Sequence, residues 1–333
     1  MLLTVTFHYI RNTENSIYPG IHGVSPSRLD TQLEYLCKNF NVIKPTELKG
    51  ISKSDSKEKY CLITFDDGLM EQYEVALPIL EKHNLKGLFF VNGINLHTSS
   101  VSEVHKVHYI RSITSPTEFS NRLAEEIDRS RIEIPLARDE FKPPEGQNAY
   151  DSVDVQYTKY LLFHVLSGKD RSLVVDKLYA GQGIDENEHS KRLYMGSKEL
   201  IELSEDSCLG SHGWEHDVKN RDNLEETLED FEKNQLYLSE LTGEKVECIS
   251  YPYGGKSAVS PGVALMAKKV GHSFGFTIER ALTTDFCRPH LLPRLDANDI
   301  PHGKGPLFEI RNGKVEAGSS LKIGSDWYKE EYQ

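Results

Sequence analysis

Three short stretches place reactive or unusual side chains directly after apolar, strand-like runs. They are TFDDG (64–68), SHGWEH (211–216) and YPYG (251–254). The first supplies adjacent carboxylates, Asp66 and Asp67, and the second supplies His212 and His216, four positions apart. One carboxylate with two histidines is a familiar ligand set for a catalytic divalent metal, and it leaves open positions for water. The three stretches together predict a metal-assisted hydrolytic site.

Short apolar strands alternate with amphipathic helices along most of the chain, and this order predicts a parallel sheet or a barrel. The carboxyl ends of such strands meet on one face, where barrel enzymes carry their active sites. All three stretches follow a strand in the same chain direction, so residues distant in sequence converge. The predicted strands are LLTVTFHYI, CLITF, GLFFVNG, SCLGSH, VECISYPYG and SFGFTI.

Local signals set the bounds of several elements. Ser25 and Pro26 predict a helix start, and Asp222 is predicted to begin a long helix that Gly243 ends. The Asn-Gly pair at 312–313 predicts a hairpin. Residues 97–195 break the alternation, because they are polar and helix-leaning without a clear buried strand. We expect them to form a helical insertion on the barrel, which occupies residues 1–96 and 196–333.

The position of Asp66 and Asp67 at the end of a strand explains how two neighbouring carboxylates can reach one site. Neighbouring side chains of a strand point to opposite faces, but the pleat breaks where the strand ends, and Gly68 permits a sharp exit. Asp66 and Asp67 then reach the barrel mouth from different angles. One binds the metal, and the other takes a proton from the attacking water.

Each stretch also has a simpler interpretation. Two acids before a glycine commonly form a turn or a helix cap. With 13 histidines in the chain, an accidental H-x-x-x-H pair is unsurprising, and Tyr-Pro-Tyr-Gly alone is a turn. The conjunction of the three stretches favours the metal site.

Bulk composition excludes several classes of protein. The 333 residues are 38% hydrophobic and 27% charged, which is typical of a globular chain. A net charge of −12 argues against nucleic-acid partners and against adhesion to anionic membranes. We expect no membrane span and no secretory leader, hence a cytoplasmic protein. The five widely spaced cysteines are expected to be reduced, buried thiols.

The motifs TFDDG, H-x-x-x-H and Pro-Tyr-Gly, in this order, resemble the polysaccharide deacetylase family (NodB homology domain, carbohydrate esterase family 4). The resemblance covers residues 60–96 and 193–300, with LYMGSKELIELSEDSCLGSHGWEH especially similar in layout, and the N-terminal FHYI resembles the lead-in of many members. It implies an α/β fold, a distorted (β/α) barrel of about seven strands.

The resemblance also implies roles for individual residues. Asp66 corresponds to the catalytic base, whereas Asp67, His212 and His216 correspond to the ligands of a divalent metal, for which we expect zinc. The backbone N–H of Tyr253 corresponds to the group that helps hold the oxyanion. The division of roles between the two aspartates rests on the resemblance alone.

This sequence departs from the family pattern at the residue that steadies the base. Many members carry an arginine three residues before the third-motif tyrosine, where this chain has Ser250. Arg294, from a later strand, is a candidate substitute. Its alternative is a surface ion pair with Asp296 or Asp299.

Other departures concern the acid and the insertion. The late motif that supplies the catalytic acid is not evident, so we assign no acid. His8, His290 and His302 are candidates, each more typical of a structural histidine. Residues 97–195 lengthen the span between the first two motifs and are interpreted as a lid, an oligomer contact or decoration. Trp214 is interpreted as a sugar-stacking or a core residue.

The sequence thus predicts a hydrolase that removes an N-acyl group, with acetyl expected, from a sugar. The expected substrate is an intracellular precursor, small or carrier-linked, in surface-glycan biosynthesis. Two alternatives stay open: a hydrolase of small non-sugar amides, and a catalytically silent glycan-binding module. Homo-oligomerisation also stays open.

Overall fold

A computed structural model describes residues 1–13, 21, 23–54, 58–142, 152–218 and 223–328. Its strands are β1 (Leu2–Phe7), β2 (Asn41–Val42), β3 (Tyr60–Phe65), β4 (Leu88–Val91), β5 (Leu209–Ser211), β6 (Cys248–Ser250), β7 (Phe274–Phe276), β8 (Ala281–Leu282), β9 (Leu295–Asp296), β10 (Phe308–Arg311), β11 (Lys314–Ala317) and β12 (Lys322–Ile323).

The described residues also form twelve α-helices. They are α1 (Pro26–Asn39), α2 (Leu48–Ile51), α3 (Leu77–Lys82), α4 (Gly93–Thr98), α5 (Glu103–Ile113), α6 (Pro116–Arg129), α7 (Val153–Tyr160), α8 (Gly168–Ala180), α9 (Glu186–Leu193), α10 (Ser197–Glu205), α11 (Leu224–Thr242) and α12 (Pro261–Val270). A 3-10 turn spans Pro45–Glu47, and π-helical turns span Gln72–Ala76 and Leu161–Val165. Within the described ranges, none of these helices has the length and apolar character that crossing a membrane requires.

The main sheet has the order β7-β6-β5-β4-β3-β1-β9, with β2 beside β3, and its pairs are parallel throughout the described residues. This curled parallel sheet with helices packed around it confirms the predicted distorted (β/α) barrel. Its centre is aromatic, because Phe7, Phe65 and Phe89 lie in register on three neighbouring strands. The Phe65 ring stacks on those of Phe7 and Phe89 at centroid distances of 5.4 and 4.7 Å. The stack fixes the ends of β1 and β3, from which His8 and Asp66 project.

The predicted helix and turn signals are confirmed at most positions. The Ser25 side chain accepts a hydrogen bond from Arg28 N at the start of α1, and Gly243 ends α11 with φ of +79°. The predicted start of α11 at Asp222 lies outside the described residues. The helix itself begins at Leu224, with Asn223 as its cap.

The hairpin and the cysteines complete the comparison of local structure. Strands β10 and β11 pair antiparallel around the predicted Asn-Gly turn. All five cysteines are free, and Cys61, Cys208 and Cys248 are buried as expected. Cys37 and Cys287 are exposed, so the expectation of burial is wrong for these two.

The chain divides into two compact units. One comprises Met1–Asn12, Gly23–Ser99 and Ser190–Gln333, and the other comprises Thr13–His22 and Ser100–His189. The described part of the second unit is helical around its own apolar core, which includes Leu123, Leu161 and Val174. The role of residues 97–195 as a lid or an oligomer contact stays a prediction.

Candidate active site

Asp66 follows β3 and lies in a pocket of hydrogen-bond donors. Only 3% of the residue is exposed. Arg294 donates to both of its carboxylate oxygens, from Nη1 to Oδ1 at 2.8 Å and from Nη2 to Oδ2 at 2.7 Å. Ser250 Oγ lies 3.2 Å from Oδ2 as a further donor. This bidentate pairing fixes both the position and the orientation of the carboxylate.

The electrostatics of this pocket keep Asp66 ionised. Burial by itself would raise the pKa of the carboxyl, but the charge of Arg294 acts in the opposite direction and prevails, so that the pKa falls to about 2. Asp66 is therefore an anion at neutral pH despite being buried.

Arg294 is the largest fully buried side chain of the described residues. Besides Asp66, its guanidinium donates to Thr277 O at 3.1 Å and to Ser250 Oγ at 2.7 Å. It also contacts Thr6 Oγ1 and Thr64 Oγ1, each at 3.2 Å. The alternative of a surface ion pair is wrong, and Ser250, at the position where the family resemblance predicts an arginine, is itself a partner of Arg294.

Asp67 points to a different set of neighbours because the backbone turns sharply after β3. Asp67 and Gly68 adopt φ values of +79° and +64°, in the left-handed region. A Cβ at position 68 would lie 2.6 Å from Val91 Cγ1, so both the conformation and the space require glycine. The strained φ of Asp67 is of a kind that clusters at functional sites.

The structure brings Asp67, His212 and His216 together. Asp67 Oδ1 lies 3.4 Å from His212 Nε2 and 3.3 Å from His216 Nε2. All three donor atoms lie within 4.8 Å of one another. His212 and Asp67 are buried, and His216 is nearly so.

This donor set fits a divalent metal. Bonds of 2.0–2.1 Å in a tetrahedral site place neighbouring donors about 3.3–3.4 Å apart, which matches the spacing of the Asp67 oxygen from the two ring nitrogens. His212 Nδ1 lies 2.8 Å from Ser250 O, so it carries the proton and leaves Nε2 as an acceptor facing Asp67. One carboxylate and two imidazoles form a common set for zinc.

The loop between the two histidines is held by side chains from neighbouring elements. Asn92 Nδ2 donates to His212 O at 2.6 Å. The Asp230 carboxylate of α11 accepts from Trp214 N and Glu215 N, both at 3.0 Å. Sequence reasoning missed Asn92 and Asp230, because an amide one residue after a strand and an acid within a helix carry no distinguishing pattern.

Trp214 belongs to the core. It is 4% exposed, and its ring lies 5.4 Å from those of His97 and Tyr237. The sugar-stacking interpretation is therefore wrong for this tryptophan.

Tyr253 lies beside the histidines in the third motif. Its ring packs edge-on against His216 with a centroid distance of 5.0 Å. Its φ is +60° and that of Gly254 is +50°, so this turn repeats the left-handed pair seen at Asp67 and Gly68. The role of the Tyr253 N–H at an oxyanion stays a prediction.

The three candidate acids differ in location. His8 Nε2 lies 3.9 Å from Asp66 Oδ2, and the His8 side chain is 41% exposed. His290 instead bonds to His272 O at 2.8 Å, and the His302 ring packs against Tyr35. Of these three histidines, only His8 lies beside Asp66 in the described structure.

The curled barrel and its strand-end cluster of aspartates and histidines define a deacetylase-like fold and site. The family model for polysaccharide deacetylases matches residues 53–134 and 181–275, which together exceed half of the chain. The chain therefore belongs to the polysaccharide deacetylase family.

Individual relatives agree with this assignment. The chain is 33% identical over 73 residues to the protein described as "Putative polysaccharide deacetylase YxkH" of Bacillus subtilis (strain 168), a match that covers 21% of this chain and 26% of that protein. The chain thus spans about a quarter of the curated relative that it matches.

Two solved structures share the fold. The deacetylase PplD of Streptococcus pyogenes, in complex with acetate, has a TM-score of 0.53 at 13% identity, covering 89% of this chain and 90% of that one. A de-N-acetylase from Aggregatibacter actinomycetemcomitans has a TM-score of 0.52 at 14% identity, covering 89% and 95%.

Proposed function

We propose that this protein is a metal-dependent hydrolase that removes an N-acyl group, with acetyl expected, from a sugar. The observation that carries the proposal is the pairing of two features in one cluster. Asp67, His212 and His216 offer three donor atoms at metal-ligand spacing. Asp66, next to Asp67 in sequence, is a buried anion held by Arg294. The names of the relatives support deacetylation as the reaction.

The three ligands would hold the metal, with zinc expected. When bound, the metal supplies Lewis acidity, which polarises the amide carbonyl and lowers the pKa of a water toward neutrality. His212 Nε2 would be free to bind the metal, because Nδ1 donates its proton in a hydrogen bond to Ser250 O. The chain's remaining contributions are a base, an acid and an oxyanion donor.

Asp66 is proposed as the base that orients the attacking water and takes its proton. The charge of Arg294 keeps the pKa of Asp66 low in spite of its burial, which favours transfer of the proton onward to a neighbouring group. His8 is the neighbour placed to receive it, with Nε2 3.9 Å from Asp66 Oδ2. We therefore propose His8 as the acid that protonates the leaving amine.

Tyr253 is proposed to stabilise the negative charge that develops on the carbonyl oxygen. A backbone N–H offered by a fixed turn needs no reorganisation during the reaction, which is the basis of oxyanion stabilisation. The Tyr253 ring, packed against His216, also couples this turn to the metal ligands.

The decisive experiment combines metal analysis with activity on small N-acetylated sugar conjugates. We expect the purified protein to release acetate and to contain one divalent ion per chain, and His212→Ala to lose both. Asp66→Asn should lose turnover by about 10³-fold while it retains the metal. Asp217→Asn, at an exposed position just after the second motif, is the matched control and should behave as the parent protein.

The same experiment separates the alternatives. A glycan-binding module would release no acetate and would bind glycan equally well with Asp66→Asn. A hydrolase of non-sugar amides would act on simple amides and leave sugar conjugates intact. An intracellular precursor as substrate stays a prediction, and activity restricted to extended polymer would contradict it.

A further inference from the structure

We propose that Gln72 is a positioning residue that sets the spacing between the acid and the base. This inference rests on the proposed function, in which Asp66 is the base and His8 the acid, with His8 Nε2 placed 3.9 Å from Asp66 Oδ2. Gln72 Nε2 donates to Asp66 O at 2.6 Å and to His8 O at 3.0 Å. One side-chain amide thus joins the backbones of the two residues.

The burial of Gln72 makes its two hydrogen bonds important, because water does not replace them. The side chain is fully buried. Without the amide, the carbonyl oxygens of Asp66 and His8 would lose a common donor and would repel each other. The two N–H groups of one amide satisfy both acceptors and draw the carboxyl ends of β1 and β3 together.

The local backbone and a neighbouring side chain hold Gln72 in place. Gln72 opens the π-helical turn Gln72–Ala76, and such turns are frequent at functional sites. The preceding residue, Glu71, accepts from Ile10 N at 2.6 Å and from Arg11 Nε at 2.7 Å. Two consecutive side chains therefore grip the segment that carries His8.

Loss of the Gln72 amide should affect His8 more than Asp66. The Asp66 carboxylate has separate anchors in Arg294 and Ser250. The bridge to His8 O ties the acid to the base at the residue itself. Without it, proton delivery to the leaving group is impaired while binding of substrate and metal persists.

The leaving group provides a readout that a merely structural role would not change. Release of a sugar amine requires protonation, whereas release of 4-nitrophenolate from 4-nitrophenyl acetate does not. We expect Gln72→Met to lower kcat/KM for an N-acetylated sugar at least tenfold more than kcat/KM for the ester. The sugar loss should appear in kcat, with KM within twofold and metal content unchanged.

A matched control is available in the same barrel. Gln32 is equally buried, and its amide donates to Ala297 O at 2.6 Å rather than to the backbone of the proposed acid or base. Gln32→Met makes the same chemical change and should leave the amide-to-ester ratio at the parent value. Gln72→Glu, which keeps the shape but at most one donor, should lower the ratio in the same direction and serves if Gln72→Met does not fold.

The outcomes distinguish the inference from the proposed function. If the parent protein hydrolyses neither substrate, the proposed function is overturned and the inference with it. If the parent is active and His8→Asn lowers the ratio while both Gln72 variants match Gln32→Met, only the inference is overturned. Support requires that His8→Asn and Gln72→Met lower the ratio alike, and that combining them adds little further loss.

Discussion

Asp66 and Asp67 are adjacent in sequence but occupy opposite chemical surroundings. Asp66 is surrounded by donors, because Arg294 and Ser250 direct N–H and O–H groups at its carboxylate. Asp67 faces the ring nitrogens of His212 and His216. The sharp turn at Asp67 and Gly68 creates the difference. Adjacent carboxylates can therefore have different roles in one site, since Asp66 is paired with a guanidinium and Asp67 faces two imidazole rings.

The largest effect is expected where the two aspartates are exchanged for asparagine one at a time. Asp67→Asn removes an anionic ligand and should weaken metal binding by at least about 100-fold, with turnover lost in parallel. Asp66→Asn should lose turnover with metal affinity within a few-fold of the parent. Isothermal titration with Zn²⁺ and acetate release measure the two effects, and equal metal affinities in both variants would contradict the division of roles.

The charge pairing of Asp66 is broken by Arg294→Met. The variant leaves a buried carboxylate unpaired, so we expect the free energy of unfolding to fall by about 3–5 kcal/mol. Arg311→Met is the matched control, because Arg311 pairs with Glu309 at 2.9 Å and the two side chains are 64% and 63% exposed. The control should cost at most about 1 kcal/mol. Urea unfolding followed by circular dichroism measures both, and similar losses would argue against a buried pair.

His272 is a third buried titratable group and contrasts with Asp66. No charged partner outweighs the effect of burial on its pKa. Burial lowers its pKa from 6.5 to about 4, although a hydrogen bond to Val246 O acts in the opposite direction. As the pH falls below 6.5, His272 becomes protonated in the unfolded chain but stays neutral in the folded protein. The contribution of His272 to the free energy of unfolding is therefore fully present above pH 6.5. It declines by about 3 kcal/mol as the pH falls to 4.

Unfolding of the parent protein and of His272→Asn across pH 4–7 tests this linkage. The variant does not titrate at this position, so its stability should decline less steeply over that range. Parallel curves for the two proteins would show that His272 is not the source of the decline.

The smallest effect is expected at Ser250, which contacts both the Asp66 pocket and His212. Its hydroxyl contacts Asp66 and Arg294, and its carbonyl holds His212. Ser250→Ala removes only the hydroxyl, so we expect a loss of about 1–2 kcal/mol in unfolding free energy and less than tenfold in kcat.

Ser120→Ala is the matched control for this substitution. Ser120 is also buried, but its Oγ has no recorded hydrogen-bond partner among the described residues. This variant should differ from the parent by no more than about 0.5 kcal/mol. A loss at Ser250 no greater than that at Ser120 would show that the hydroxyl is dispensable to the pocket.

The sequence was sufficient to predict six strands of the main sheet, β1 and β3 to β7, because each apolar run signals its own element, but not the two-residue strands β2, β8 and β12. It also placed three motifs on one face, since parallel strands end together. The network around Arg294 was beyond such reasoning: a fully buried arginine is recognisable only once Thr6, Thr64 and Ser250 surround it. Trp214 shows the same limit, because a pattern of neighbours in sequence does not reveal which helices cover a ring.

The position of Arg294 has a consequence for biosynthesis. It directly precedes β9, and β9 pairs with β1 at the edge of the main sheet. A chain emerging from the ribosome therefore carries Asp66, Asp67, His212 and His216 well before the guanidinium that pairs with Asp66. A product cut short before residue 294 would contain all four of these residues, yet Asp66 would lack its counter-charge. The ion pair within this cluster is thus completed only with the segment that adds the last strand of the main sheet.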